Sequence, residues 1–248
     1  MKLTGKSALI TGGARIGAAV ALALARRGCK VALTHRSSAA AAGATARKIR
    51  AAGGKALTIP ADLSRPGDAD RAVEAVKDAW GGVDILVHLA SVYGRTPLAG
   101  LEKTPGALAD GPGAVDLGAA YRLALRCAPH MRRRGGGRII LFSDWTAASG
   151  RPRYKDFAPY YAAKAGAKAL TEALALELAP AVLVNAVAPG PILPPPDLKT
   201  GSVEDVKRST PLGRWGGAEE IAKAVLFFIE SDFVTGETLR VDGGRHLY

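Results

Sequence analysis

The sequence has few of the features that mark secreted or membrane proteins. Only two of its 248 residues are cysteine, Cys29 and Cys127, which is too few for a disulfide framework and typical of reduced thiols in the cytosol. No apolar run reaches the roughly 18 residues that a membrane-spanning helix needs. Met1–Gly5 leads directly into a short strand pattern, so no signal peptide is expected. We therefore expect a cytoplasmic protein that makes no contact with a membrane.

Acidic residues are also scarce relative to basic ones. The chain holds 22 Asp and Glu against 34 Lys and Arg, a net charge of +12. Such a balance suits nucleic acid, a membrane surface, or an anionic ligand or carrier protein. The densest basic cluster, Arg132–Arg134 with Arg138, follows a long helix pattern and complements the dipole at the carboxyl end of that helix. Because no stacking aromatic residues are interleaved with the cluster, nucleic-acid binding is not predicted.

Strand and helix patterns, by contrast, alternate along the whole chain. Short apolar runs without a polar face are typical of parallel strands that are buried on both sides. Strands are predicted at Ser7–Thr11, Lys30–Thr34, Ala56–Ile59, Ile85–Leu89, Gly137–Phe142, Val182–Val187 and Thr238–Val241. Helices are predicted at Ala18–Arg27, Ser38–Ala52, Asp68–Trp80 with Asp68 as its cap, Gly113–Arg134, Pro159–Leu178, Ser202–Ser209 and Ala218–Ser231. The pattern predicts an α/β protein of one domain, residues 1–248, with a doubly wound seven-stranded parallel sheet and helices on both faces.

One segment interrupts this alternation. Pro189–Pro196 holds five prolines in eight residues and is predicted to be neither strand nor helix. We expect it to begin a lid over approximately residues 190–210. Such a lid would shape the substrate end of a site.

The turn between the first strand and the first helix is rich in glycine. Gly12–Gly17 would let the backbone approach a pyrophosphate and would present helix N–H groups to it. At the end of the second strand, where an acidic residue would bind the 2′-OH of NAD, the chain has His35-Arg36-Ser37. Arg36 with Ser37 suits a 2′-phosphate, and Arg15 adds a second cation, so NADPH is predicted in preference to NADH. Asp62-Leu63, after the third strand, is placed to meet the adenine edge.

A tyrosine, a lysine and an aspartate form the candidate catalytic group. Tyr160 and Lys164 are four residues apart in a predicted helix and share one face of it. Asp144 follows the fifth strand, at the sheet edge where open α/β sheets bind ligands. The Lys164 ammonium should lower the pKa of Tyr160, a candidate proton donor, whereas ionised Asp144 would raise it. Protonated Asp144 could itself donate to a substrate, and we expect the three groups to titrate as a unit.

Together these pieces resemble the short-chain dehydrogenase/reductase family along nearly the whole chain. The matching motifs are Thr11-Gly12…Gly17, Asp62-Leu63, Tyr160-x-x-x-Lys164, Asn185–Gly190 and Thr235-Gly236…Val241–Gly244. The resemblance implies a Rossmann fold, a nicotinamide cofactor, a tyrosine acid/base, a lysine that holds the cofactor ribose, and a homotetramer (or a dimer). The residues expected to bind NADPH are Thr11, Gly12, Arg15, Ile16, Gly17, His35, Arg36, Ser37, Asp62, Leu63, Leu89, Ala90, Ser91, Lys164, Pro189, Gly190 and Ile192. No metal site is predicted.

The chain departs from the family pattern at several positions. Only four residues separate the first and last glycines of Gly12–Gly17, one fewer than is common in the family. His88–Ser91 stands where the family has Asn-Asn-Ala-Gly. Asp116 takes the place of the helix asparagine that often completes a water relay. Asp144 occupies the position of the catalytic serine, and about three extra residues lie between it and Tyr160.

An aspartate at the serine position resembles the pteridine reductase branch of the family. Arg15-Ile16-Gly17 and His35-Arg36-Ser37 are similar to the loops of that branch, as is the ending Asp242–Leu247. Tyr93 lies where the branch carries an aromatic residue that stacks on the pterin, although it could equally cover the edge of the core. On this resemblance Tyr93, Asp144 and Tyr160 would contact a small-molecule substrate.

We therefore expect an NADPH-dependent oxidoreductase that transfers a hydride to a C=N or C=O group, most simply of a pteridine-type substrate. The alternative is a general carbonyl reductase, for instance on 3-oxoacyl thioesters carried by an acidic carrier protein, which the charge of +12 would suit. Asp144 argues against it, because a carboxylate is a poor hydrogen-bond donor to a ketone. A second alternative is a non-catalytic NADPH-binding regulatory protein.

Overall fold

The fold is built around one parallel sheet, seen in a computed structural model that describes residues 1–104, 106–195 and 200–248. Its strands are β1 (Ser7–Thr11), β2 (Lys30–His35), β3 (Ala56–Pro60), β4 (Ile85–His88), β5 (Gly137–Phe142), β6 (Val182–Pro189) and β7 (Thr238–Val241). Within the described residues these seven strands are ordered β3-β2-β1-β4-β5-β6-β7. The predicted doubly wound, seven-stranded parallel sheet of a single Rossmann-type domain is confirmed.

Helices cover both faces of the sheet. They are α1 (Ile16–Arg26), α2 (Ala39–Ala51), α3 (Pro66–Trp80), α4 (Leu98–Lys103), α5 (Ala107–Asp110), a π-helical turn (Gly113–Gly118), α6 (Ala119–Arg133), α7 (Trp145–Ala148), α8 (Ala158–Leu178), α9 (Thr200–Arg208), α10 (Ala218–Glu230) and a 3₁₀ turn (Arg245–Leu247). α1, α2 and α10 pack on one face, and α3, α6 and α8 on the other. Among the helices of the described residues, none is long and apolar enough to cross a bilayer.

The core consists of two apolar layers separated by the sheet. Along β1, Leu9 faces the layer of α3, α6 and α8, while Ile10 faces the layer of α1 and α10, as the alternation of a strand requires. The two cysteines are divided in the same way: Cys127 lies in the first layer and Cys29 in the second. Both are free and buried, and burial raises the pKa of Cys29 to about 12 and that of Cys127 further.

Several predicted element boundaries were wrong. α3 begins at Pro66, so Asp68 is not its cap; its Oδ2 instead accepts a 2.8 Å hydrogen bond from the amide of Asp62. Proline suits the first turn because its missing N–H has no partner there in any helix. β6 extends to Pro189, which the sequence had placed in irregular chain, and the Gly190 amide continues the ladder to Val241 O at 2.9 Å. The predicted lid at 190–210 includes residues 196–199, which lie outside the described residues.

The strand order places a crevice at one edge of the sheet. β1 pairs with β2 on one side and with β4 on the other. The chain that leaves β1 and the chain that leaves β4 therefore turn to opposite faces and diverge at the carboxyl ends of the strands. Open α/β sheets bind their ligands at this switch point.

Candidate active site

A cleft of about 800 Å³ opens above the carboxyl ends of the strands. One part of it, which we call the glycine end, is formed by the turns after β1, β2, β3 and β4. The other part, the aromatic end, is formed by the rings of Tyr93, Trp145, Tyr154, Phe157 and Tyr160. Every residue that the sequence predicted for cofactor or substrate contact lines this cleft except Thr11, which is fully buried beneath it.

The glycine end is formed largely by backbone, and the glycines are what permit it. Gly12 has a φ of 81°, and a Cβ there would lie 3.2 Å from the amide nitrogen of Ala90. A Cβ on Gly17 would lie 1.9 Å from Gly12 O. A side chain at either glycine is therefore excluded, which lets the backbone approach an anion at the start of the eleven-residue α1, where the Gly17 amide itself donates to Ala14 O at 2.9 Å.

The turn between β1 and α1 includes one residue in a strained backbone conformation. Arg15, the residue before α1, has φ 49° and ψ −107°, a strained combination for a residue with a side chain. Its guanidinium donates from Nη2 to the carbonyl oxygen of Pro194, 2.7 Å away, across the mouth of the glycine end. Arg15 thus connects the glycine turn to the start of the segment predicted as a lid.

The end of β2 fits a phosphorylated ribose. Arg36, Ser37 and Ser38 line the cleft there. The acidic residue nearby, Asp62, has its Oδ1 occupied by the Ser64 amide at 3.1 Å and the Ser64 hydroxyl at 2.7 Å. Those hydrogen bonds lower the pKa of Asp62, and the charge of Arg36 lowers it further. Cations, hydroxyls and backbone N–H groups are the donors that NADPH phosphates require.

A buried histidine lies beneath the floor of the cleft. Burial lowers the pKa of His88 to about 4, so its ring is neutral at pH 7. Its Nε2 lies 2.9 Å from the carbonyl oxygen of Val115, so Nε2 carries the proton, and the Thr11 hydroxyl donates to Nδ1 at 2.9 Å. Thr11 Oγ1 in turn accepts from the Ala90 amide at 3.1 Å. His88 and Thr11 therefore fix the floor of the cleft from beneath.

Tyr160 projects into the cleft from the first turns of α8. Its hydroxyl donates to Asp144 Oδ2 at 3.1 Å. Asp144 directly precedes α7, and its Oδ1 accepts from the amide and the hydroxyl of Thr146 at 2.8 and 2.6 Å. Asp144 is thus a helix cap on one oxygen and holds the tyrosine hydroxyl with the other.

Lys164, one turn further along α8, is paired with a carboxylate that the sequence marked only as a departure from the family. Its Nζ lies 2.7 Å from Asp116 Oδ1 and 3.1 Å from the carbonyl oxygen of Phe142, to which it donates. Asp116 Oδ2 accepts from the Val92 amide at 3.0 Å. Both side chains are buried, at 5% and 0% exposed, so the pair is little screened by solvent.

The pKa of Tyr160 moves in the direction predicted for an ionised Asp144 and opposite to the direction predicted for Lys164. The pKa of Tyr160 is raised well above its ordinary value, first by burial and then by the negative charges of Asp144 and Asp116. The ammonium lies 5.6 Å from the centre of the tyrosine ring, and its charge is balanced by Asp116. The hydroxyl therefore keeps its proton at neutral pH.

The aromatic end is a continuous wall of rings. Tyr93 stacks on Phe157 with 5.0 Å between ring centres and meets Tyr160 edge-on at the same distance. Phe157 contacts Tyr154 at 6.3 Å, and Tyr154 contacts Trp145 at 6.4 Å. Offset and edge-on contacts of this kind are the favourable geometries of aromatic pairs.

Two loops that are distant in sequence hold this wall together. The Thr96 amide donates to the carbonyl oxygen of Asp156 at 2.6 Å, and Arg95 forms an ion pair with the Asp156 carboxylate. Asp156 has a positive φ of 70°, and both its backbone carbonyl and its side chain contact the loop that holds Arg95 and Thr96. The loop 150–157, lengthened relative to the family, thereby presents Arg153, Tyr154 and Phe157 to the cleft.

The structure brings together the tyrosine, lysine and aspartate that the sequence selected, but sequence reasoning missed much of the aromatic end. It gave no role to Trp145, Tyr154, Phe157, Arg153 or Arg245. The signals were present: the extra residues before Tyr160 and the aromatic and basic content of that loop. Tyr93 lies in the wall, 63% exposed and in contact with Tyr160, so it does not only cover the edge of the core, and its contact with a substrate stays a prediction.

The chemistry available is that of a proton donor beside a nucleotide site. A protonated phenol, a buried ammonium and two carboxylates lie between an anion-binding backbone turn and an apolar wall. Such a site can bind a dinucleotide at one end and deliver a proton to an oxygen or nitrogen at the other. In the part of the chain that the structure describes, no group of three metal-ligating side chains is present.

Comparison with known proteins agrees with this arrangement. The family described as enoyl-(acyl carrier protein) reductase matches residues 13–246. An uncharacterized oxidoreductase of Mycobacterium tuberculosis is 38% identical, covering 98% of this chain and 93% of its own. A 3-oxoacyl-[acyl-carrier-protein] reductase of Synechocystis sp. is 34% identical over 99% of both chains. A solved short-chain dehydrogenase/reductase from Serratia marcescens is 34% identical over 99% of this chain and 100% of its own, with a TM-score of 0.89.

Proposed function

The chain belongs to the short-chain dehydrogenase/reductase family, and on that premise we propose that it is an NADPH-dependent reductase of 3-oxoacyl thioesters. Family membership makes it an oxidoreductase. The substrate follows from the similarity to the Synechocystis enzyme, whose name gives that activity, over nearly all of both chains. The proposal therefore takes the carbonyl alternative in preference to the pteridine substrate, because no relative considered above is named as a pteridine reductase.

NADPH is proposed for the glycine end. Its adenosine 2′-phosphate would meet Arg36 and Ser37, and its pyrophosphate the N–H groups that open α1. Lys164 would hold the nicotinamide ribose. When bound, the cofactor supplies a hydride to the substrate carbon.

Tyr160 is the proposed proton donor. The observation that carries the proposal is its protonated hydroxyl, partly buried, held by Asp144 at 3.1 Å at the junction of the two ends of the cleft. A carbonyl oxygen that enters beside this hydroxyl would replace Asp144 as the acceptor of its one hydrogen bond and then receive its proton. Burial and the charges of Asp144 and Asp116 raise the pKa of Tyr160, so the proposed donor is in its protonated form when a carbonyl oxygen arrives.

The geometry of Asp144 weakens the argument against a ketone substrate. Both of its oxygens accept hydrogen bonds, one from Thr146 and one from Tyr160. Asp144 therefore need not donate to the substrate, and its role is to orient the tyrosine hydroxyl. A pteridine substrate stays a second candidate, favoured by the stacked Tyr93 and Phe157, on which a planar ring could pack.

A substrate panel tests the proposal. NADPH oxidation is followed with an acetoacetyl thioester, a dihydropterin and a quinonoid pterin, and a Tyr160→Phe variant serves as the catalytic control. The proposal expects turnover of the thioester that the variant loses. Turnover of a pterin alone would favour the second candidate. NADPH binding with no turnover of any substrate would favour the non-catalytic alternative.

Three further predictions accompany this function. A homotetramer is proposed, which sedimentation velocity of the purified protein would check. A cytoplasmic location is proposed, which cell fractionation would check.

A lid within 190–210 that closes over the substrate is proposed from the Arg15–Pro194 hydrogen bond and the described residues of that segment, and NADPH-dependent protection from proteolysis would check it.

A further inference from the structure

Two arginines at the rim of the aromatic end have no part in the proposed reaction. The guanidinium carbons of Arg153 and Arg245 lie 6.0 and 5.6 Å from the ring centre of Trp145. Trp145 is buried and directly follows Asp144. Both arginines also line the cleft. Two cations from distant parts of the sequence therefore converge on one ring in the wall that contains Tyr160.

Among the residues that the structure describes, the positive charge of this pair lacks an ion-pairing carboxylate. The neighbouring carboxylates are engaged elsewhere: Asp156 pairs with Arg95, and Asp242 binds His246 Nδ1 at 2.7 Å. Throughout residues 1–104, 106–195 and 200–248, no carboxylate forms an ion pair with Arg153 or Arg245. Each guanidinium carbon lies within 6.0 Å of the same ring centre, so an anion at this rim would be attracted by both charges.

Arg245 is also held in place before any ligand binds. Its Nη1 donates to the carbonyl oxygen of Val206 at 3.1 Å and to the hydroxyls of Ser209 and Thr210 at 2.5 and 3.2 Å. Stacking on Trp145 supports the guanidinium from one face. A fixed guanidinium loses little conformational entropy on binding, and its planar fork matches carboxylate and phosphate oxygens.

We propose that Arg153 and Arg245 form an oxyanion subsite, which binds a carboxylate or phosphate that the substrate carries several bonds from the reacting carbonyl. The proposal rests on the proposed function for the nature of that carbonyl. The subsite is separate from the cofactor phosphates, which belong to Arg36 and the glycine turn at the other end of the cleft. It would select, among carbonyl compounds, those with an anionic group.

Two matched pairs of unreactive ligands test the subsite by isothermal titration with the full chain. Butyryl-4′-phosphopantetheine and butyryl-pantetheine differ only in a phosphate; 3-(butyrylthio)propanoate and its methyl ester differ only in a carboxylate. We expect about 10-fold tighter binding of the anionic member in at least one pair at low salt, and the pair that shows it identifies the anion. Equal binding within both pairs would overturn the proposal.

Variants assign the preference to the arginines. Arg153→Gln should reduce the anionic preference to less than about threefold, and the double variant with Arg245→Gln should abolish it. Arg151→Gln removes an exposed charge two residues away that does not line the cleft, and it should leave the preference intact. Because Arg245 also tethers α9, thermal melting checks that each variant is folded. A preference that survives in the folded double variant would contradict the subsite.

Turnover separates this proposal from the proposed function. The same pairs are prepared as acetoacetyl thioesters and assayed with NADPH. Tighter binding of the anionic member without reduction of any thioester would support the subsite and contradict the proposed function. Reduction with equal kcat/KM for the anionic and neutral members would keep the function and disprove the subsite.

Discussion

The two ends of the cleft are built from different materials. The glycine end is largely backbone, and Gly12 and Gly17 leave no room for a Cβ. The aromatic end consists of side chains from two loops and from the first turns of α7 and α8, and Tyr93 and Tyr154, on the loops, remain 63% and 51% exposed. A site formed by backbone atoms suits a ligand that is the same in all members of a family. A site formed by side chains suits a ligand that differs between members. If NADPH binds at the glycine end as proposed, cofactor binding and substrate choice depend on different sets of atoms and can be altered separately.

The sharpest test of that separation is Tyr160→Phe. Removing the hydroxyl should lower kcat for thioester reduction about 1000-fold, because general acid catalysis is lost. The dissociation constant for NADPH, measured by fluorescence titration, should stay within about twofold. Tyr121→Phe, on the exposed face of α6, is the matched control and should change neither value. A comparable loss of NADPH affinity in Tyr160→Phe would mean that the two ends are not independent.

His88 lies beneath the cleft, and its substitution measures how its ionisation affects the free energy of unfolding. Its folded-state pKa of about 4 lies below the ordinary 6.5, so the unfolded chain takes up a proton first as the pH falls. His88 thus leaves stability unchanged above pH 6.5 and costs about 3 kcal/mol of it as the pH falls to 4.

Urea unfolding at pH 7.5 and 4.5 measures this contribution. His88→Asn should unfold with a smaller difference in free energy between the two pH values than the parent protein, by up to about 3 kcal/mol. The comparison uses the difference between pH values, so any general destabilisation by the substitution cancels. An unchanged difference would show that other groups cause the acid sensitivity.

At the glycine end, Arg36→Gln should alter the choice of cofactor alone. Loss of a charged hydrogen bond to a phosphate should reduce kcat/KM for NADPH about 30-fold, while the value for NADH stays within about threefold. Arg47→Gln, on the exposed side of α2, is the control and should leave both values unchanged. An equal fall with both cofactors would contradict a 2′-phosphate contact at Arg36.

The smallest expected effect is that of Asp116→Asn, which concerns only the junction. The negative charge of Asp116 raises the pKa of Tyr160, so its removal should move the alkaline decline of kcat/KM for reduction to lower pH. At pH 7 the rate should stay within about threefold, because the hydroxyl is protonated in both proteins. The asparagine oxygen can still accept from the Val92 amide, but the side-chain NH2 then faces the buried Lys164 ammonium, so thermal melting checks that the variant is folded. An alkaline limb that moves upward would contradict this account.

The sheet and the glycine end could be predicted because their determinants are local in sequence. Uninterrupted apolar runs defined the strands, and the placement of Gly12–Gly17 after the first of them defined the anion-binding turn. The aromatic end depends on contacts such as Tyr93 with Phe157 and Arg95 with Asp156, about sixty residues apart in sequence. The hydrophobic periodicity of a sequence does not indicate contacts between residues so far apart.

Electrostatics explain the other miss. The pair Tyr160 and Lys164 suggested a lowered tyrosine pKa, since helical spacing places an ammonium beside a phenol. The carboxylate of Asp116, on a different element, lies 2.7 Å from that ammonium. Burial of the hydroxyl and the charge of Asp144 raise the pKa of Tyr160, and Asp116 raises it further. The burial and the position of Asp116 are known only from the folded chain.

The burial of both thiols has a practical consequence for spectroscopy. Cys29 and Cys127 lie on opposite sides of the sheet, and burial raises the pKa of each, so little reactive thiolate is available to alkylating reagents. A single cysteine introduced at an exposed position of the loop 150–157 could therefore carry a fluorophore without prior removal of the native thiols. The wild-type chain is in this respect already a scaffold for labelling, on which the motion of one loop can be recorded.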